Sequence, residues 1–225
     1  TLPGRGNQSV TDRLVMRLGL WSSVVVAVLG AAYLGVLIGT FSTEGFVFPP
    51  TTFVQLIGGI ITFLTAPALL VLFAAIKHSA PTGRTILGTL GFAFTGLFAV
   101  CVSINRFVQL TVIRLSPPGP ASQDLARFLP YSTESVMFAL EILGWGFFLS
   151  LAALFVAPLF GGNKRQNSIR WLLILFALFS LMSVIGFVTA TPITAGAFVA
   201  WGPILLALAI LLAVHFRSGE RRPST

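Results

Sequence analysis

Asn105, Arg106 and Gln109 interrupt an apolar run that continues beyond them to Val112 and Ile113, and Glu141 interrupts another. A bare charge at the centre of a bilayer costs at least ~2.5–3.5 kcal/mol, so such groups must pair, neutralise or face a polar interior. Asn105 and Gln109 share a helix face at i, i+4. Glu134 stands seven residues before Glu141, nearly two helical turns, which predicts both carboxylates on one face. Counted from Ser132, Glu141 lies roughly 14 Å along its helix, near the bilayer midplane. Trp145, one turn further on the same face, would form an apolar pocket wall or only pack. Three arrangements follow. Arg106 and Glu141 line a cavity and bind a polar or ionisable ligand, with Glu141 able to carry a proton. Alternatively Arg106 pairs with Glu134 or Glu141 as a structural clamp, or Glu141 is simply protonated and hydrogen-bonded to a neighbouring helix.

These residues are carried on six long apolar segments, at approximately 18–41, 53–76, 86–113, 132–157, 169–190 and 198–216. Each is near or above the roughly 20 residues that an α-helix needs to cross ~30 Å of hydrocarbon. The chain is 56% hydrophobic and 9% charged, whereas about a quarter of the residues of an average soluble domain are charged. All faces of the segments are apolar, without the alternation of barrel strands. The expectation is an all-α, polytopic membrane protein: one six-helix domain spanning residues 1–225.

Eleven of the fourteen Lys and Arg residues fall in the N-terminal tail, the second and fourth loops and the C-terminal tail. Only Arg106, Arg114 and Arg127 fall on the other side, which predicts both termini in the cytoplasm. The same pattern accounts for the net charge of +8 without a nucleic-acid partner. Short basic clusters beside membrane helices have anionic lipid headgroups as their ordinary partners. The first apolar run exceeds the 7–15 residues of a signal-peptide core, so it reads as a retained signal-anchor in a cell membrane.

Other chemistry finds little support. The single cysteine, Cys101, precludes an intramolecular disulfide and reads as a packing residue. His78 and His215 fall at helix ends, a poor placement for haem or metal ligation within a bundle. Lys77 and Lys164, the only lysines, lie in loops. No nucleotide-binding, zinc-protease or serine-hydrolase motif is present. No cofactor or metal is expected. Trp21, Trp171, Tyr131 and Trp201 read as an interfacial aromatic belt.

The longest connection, residues 114–131, opens on Ser116-Pro117-Pro118-Gly119-Pro120. Ser122 would then cap a short amphipathic turn through Leu129, either an interfacial anchor or a lid over the mouth. Pro67 and Pro203 interrupt the second and sixth segments. Gly35 and Gly39 in the first segment, and Gly91, Thr95, Ala99 and Ser103 in the third, form small-residue stripes expected at close helix contacts.

The stretches Asn105–Ile113 (NRFVQLTVI) and Ala139–Phe148 (ALEILGWGFF) resemble a group of small prokaryotic multi-pass membrane proteins of no assigned activity. The resemblance covers the third and fourth helices and their loop. It implies that Gln109 and Glu141 belong to a shared pattern and that the membrane is a prokaryotic inner or plasma membrane. Three function classes remain: binding and transport of a small molecule at a polar site between helices three and four, a non-catalytic subunit packed against partner membrane subunits, or an enzyme acting on a lipidic substrate. The site residues expected in the first class are Glu134, Glu141, Arg106, Asn105, Gln109 and Trp145. An inward cavity would favour transport; a lipid-facing polar stripe would favour the subunit; an enzyme would need a second titratable group beside Glu141.

Overall fold

The computed structural model describes residues 5–45, 51–116, 125–129 and 134–220. Among them there is no strand, and six helices are long and apolar enough to cross a membrane. They are α1 (Arg5–Glu44), α2 (Thr52–His78), α3 (Thr85–Ile113), α4 (Val136–Leu159), α5 (Lys164–Thr189) and α6 (Pro192–Gly219). Each packs against its neighbour in the chain, and α6 returns to pack on α1, which closes the ring. Large apolar side chains such as Val28, Leu178 and Val188 point outward, as expected where the surrounding medium is hydrocarbon. Buried hydroxyls are satisfied inside their own helices: Thr65 donates to Ile61 O at 2.8 Å and Thr95 to Gly91 O at 2.8 Å.

Local signals fix the helix ends. Ser135 accepts a hydrogen bond from Phe138 N (3.2 Å) and caps α4, while Asn163 accepts from Gln166 N (3.0 Å) and caps α5. The α5–α6 turn is tight, with Ala190 left-handed at φ 52°. A Cβ on Gly186 would lie 2.2 Å from Thr194 N, so only glycine lets the two helices meet there. Following that turn, α6 begins with Pro192, six residues earlier than expected, since proline is well suited to the first turn of a helix.

The small-residue stripes behave differently. That of α3 is a genuine contact: a Cβ on Gly91 would lie 2.3 Å from Val156 on α4. Gly35 and Gly39 are exposed and have nothing within 4 Å, so the α1 stripe marks no helix contact within the chain. The α1–α2 approach is made instead at Gly58, against the Tyr33 ring.

The interior of the ring divides into two halves. At the end that carries the termini, Leu69, Leu72, Phe73, Leu173, Phe176 and Leu212 fill it, leaving a void of only about 10 Å³. The opposite half encloses a cavity of about 530 Å³. Between them Trp145 packs edge-on against Phe98 (centroids 4.8 Å apart) and beside Trp201 (5.7 Å).

Candidate functional site

Three of the six expected site residues line the cavity: Arg106, Glu141 and Trp145. The α3 residues and Glu141 form a closed polar ring. Arg106 Nη2 donates to Glu141 Oε1, and Asn105 Nδ2 donates to Glu141 Oε2. Arg106 Nη1 donates to Gln109 Oε1 at 2.7 Å, and Gln109 Nε2 donates to Asn105 Oδ1 at 2.7 Å. Asn105 is fully buried, and Arg106 and Glu141 are 5% and 6% exposed. Both carboxyl oxygens are thus engaged by donors from α3. The i, i+3 and i, i+4 spacings of Arg106, Asn105 and Gln109 place all three on the α3 face that meets α4. The approach is close because Gly144 lies against α3: a Cβ there would sit 3.2 Å from both Cys101 Cβ and Val102 Cγ2.

Glu134 is not part of this ring. It lies on the turn before α4 and is exposed, because the Ser135 cap starts the helix at Val136. The shared-face expectation for Glu134 and Glu141 required a continuous helix between them, and that helix is absent. Glu141 consequently lies only about 8 Å along α4, nearer its N-terminal end than expected. The ion pair is Arg106–Glu141. Asn105 and Gln109 hold the pair from behind and do not line the cavity.

The helices depart from α-geometry around the site. Residues Ile142–Phe148 directly after Glu141, Gln109–Ile113 beginning at the last residue of the α3 cluster, and Ala200–Ile204 around Pro203 form π-helical turns. Such turns widen the backbone and recur at functional sites. They supply the cavity with Ile142, Trp145, Trp201 and Gly202. Trp201 is therefore not an interfacial belt residue. Its Nε1 donates to the buried Ser180 Oγ at 3.0 Å, which holds the ring across the bundle. Trp21 and Trp171 are exposed as a belt requires, while Tyr131 lies outside the described residues. Trp145 Nε1 is covered and meets no acceptor among the described residues, for which the structure offers no explanation.

The remaining walls were not evident in the sequence. Tyr33 and Leu37 come from α1, Ile61, Thr62 and Thr65 from α2, and Phe187 from α5. Exposed Ala190, Pro192 and Ala195 line the rim, so the cavity opens at the α5–α6 turn. Of the long connection before α4, residues 117–124, which include the expected cap Ser122, and 130–133 lie outside the described residues; within the expected turn Ala126–Phe128 form a short 3₁₀ turn with Phe128 exposed. No Cys, His, Lys or Asp lines the cavity among the described residues, and no three His, Cys, Asp or Glu side chains come together. What the arrangement offers is a largely apolar chamber with the Arg106–Glu141 ion pair fixed in its wall. The chain matches no protein-family model, no curated protein and no solved structure.

Proposed function

We propose that the protein binds a small, largely apolar molecule bearing one polar group in this cavity, as the loading site of a membrane carrier. The cavity carries the reading. Its volume of about 530 Å³ falls within the roughly 300–1,000 Å³ of small-molecule sites, and an apolar lining with a few placed polar groups is their usual composition. Apolar walls would hold the body of the molecule. The Arg106–Glu141 pair would take its polar group through the edge that faces the chamber. An opening at one end above a packed interior at the other is the form that a carrier takes when loading from one side. Because the basic residues cluster at the termini, we place both termini in the cytoplasm of a cell membrane and the opening on its outer side.

Two alternatives gain less. The polar face of α3 turns inward, not toward lipid, which removes the main reason for a complex subunit. An enzyme would need a second acid or base beside Glu141, and among the described lining residues only the Tyr33 phenol adds one, a thin set for acid–base chemistry.

Bromodecane quenching of tryptophan fluorescence tests binding. Trp21→Phe with Trp171→Phe removes the two exposed indoles and leaves Trp145 and Trp201 in the cavity wall. Saturable quenching in detergent micelles is expected, and Gly30→Phe should abolish it. Gly30 lines the cavity with no neighbour closer than 3.9 Å to an added Cβ, so the new ring fills the chamber without a clash at its root. Quenching that rises linearly and ignores Gly30→Phe would defeat the proposal.

A further inference from the structure

A second cavity, of about 300 Å³, lies at the opposite end of the bundle, among the ends of α1, α2, α4 and α6 and the start of α5. Its polar wall consists of Ser79, Asn163, Arg165, Gln166, His215 and Ser218, and none of the described residues lining it is acidic. Arg165 makes one hydrogen bond among the described residues, from Nη1 to Ser218 Oγ at 2.8 Å, and its Nε is buried without a partner. No described carboxylate forms an ion pair with it. His215 is held edge-on between Phe160 and Phe216 at 5.6 and 5.5 Å, and its Nδ1 is likewise buried without a partner.

A guanidinium presents five donors in a fixed fork that matches a phosphate, and a buried Nε left unmet beside a second unmet ring nitrogen in a polar cavity is costly. Basic pockets between membrane helices at the cytoplasmic side suit phosphate-bearing headgroups. Met16, Ile76 and Phe216 add an apolar wall to the same space, which fits the first methylenes attached to such a group. From these observations we infer that this cavity is a phosphate-binding site in which Arg165 and His215 hold an anionic phosphoryl group, carried by a lipid headgroup or free in solution. The site is separate from the chamber at Arg106 and Glu141 and does not depend on what that chamber binds.

Native mass spectrometry of the full chain provides the test, using micelles doped with equal amounts of phosphatidylglycerol and a phosphate-free diglucosyl diacylglycerol. Thermal unfolding with added inorganic phosphate forms the second arm. If the phosphate comes from lipid, wild type carries phosphatidylglycerol in preference to the phosphate-free glycolipid; if it is free, inorganic phosphate raises the unfolding temperature. Arg165→Gln should lower whichever signal is present about tenfold, the value of one charge-assisted hydrogen bond. Arg170→Gln removes the same charge from an exposed position on the same helix and should change it far less. His215→Phe keeps the ring between its aromatic neighbours, loses the nitrogens and should weaken binding in the same direction, so the test survives if Arg165→Gln does not fold. No lipid preference and no phosphate stabilisation in wild type would overturn the inference. Equal losses in Arg165→Gln and Arg170→Gln would overturn it as well, reducing the effect to surface charge.

Discussion

Glu141→Gln is the most informative single substitution. The side chain keeps its shape and can still accept from Asn105 or Arg106, but the negative charge opposite Arg106 is gone. Arg106 is 5% exposed and Asn105 fully buried, so water does not replace the lost partner. Breaking a buried ion pair in this way costs about 3–5 kcal/mol, mostly because the surviving charge stays buried. Retention of one hydrogen bond puts Glu141→Gln near the lower end, and Arg106→Gln should cost a similar amount by stranding the carboxylate. In the double variant no charge is stranded, and two amides can bond to each other. Its cost should therefore fall short of the sum of the single costs by at least about 2 kcal/mol. Unfolding by SDS titration in mixed micelles, with all four proteins compared, measures the cycle. Additivity within about 0.5 kcal/mol would refute the coupling of α3 to α4 through this pair.

Other outcomes follow from the same geometry. Glu134→Gln should leave stability within about 0.5 kcal/mol of wild type, because the residue is an exposed turn position outside the ring; the SDS titration measures it. Gly144→Leu should separate α3 from α4 and cost at least as much as Glu141→Gln, since even a Cβ at that position stands 3.2 Å from two α3 side chains. Gly186→Ala should be among the most destabilising alanine substitutions, as its Cβ would meet the Thr194 backbone nitrogen at 2.2 Å and force the α5–α6 turn apart; unfolding and expression level both report it. Trp201→Phe removes the donor to Ser180 and should cost about 1 kcal/mol while freeing the ring that floors the chamber.

Six spans were legible because hydrocarbon demands long apolar helices, and composition alone meets that demand. That Arg106 could pair with a helix-four carboxylate was legible because polar residues in such a segment have few places to go, but the choice of Glu141 over Glu134 and the bond from Asn105 were not. Glu134 misled because its seven-residue spacing from Glu141 was read through a helix that Ser135 interrupts. Ser135 is itself a cap residue placed before an apolar run, so the signal was present. Likewise Thr191-Pro192 marks the true start of α6. Gly35 and Gly39 show the limit of pattern reading: small residues permit close approach without saying which neighbour arrives. The cavity had no signature at all, since side chains around a void and side chains around a core are the same residues. Only the π-helical turns and the meeting of six helices at one depth create it.

The central claim is that the chamber beside Arg106 and Glu141 holds a small molecule, and what the protein carries out of the membrane tests it most directly. Wild type, Gly30→Phe and Gly35→Phe are purified in the same detergent, extracted with organic solvent, and compared by mass spectrometry at matched protein amounts. Gly35 has open space around it and does not line the cavity, so its variant controls for an added ring on α1. The account predicts a small organic molecule recovered in near-stoichiometric amount from wild type and Gly35→Phe and absent from Gly30→Phe. The same extract from all three proteins would contradict it.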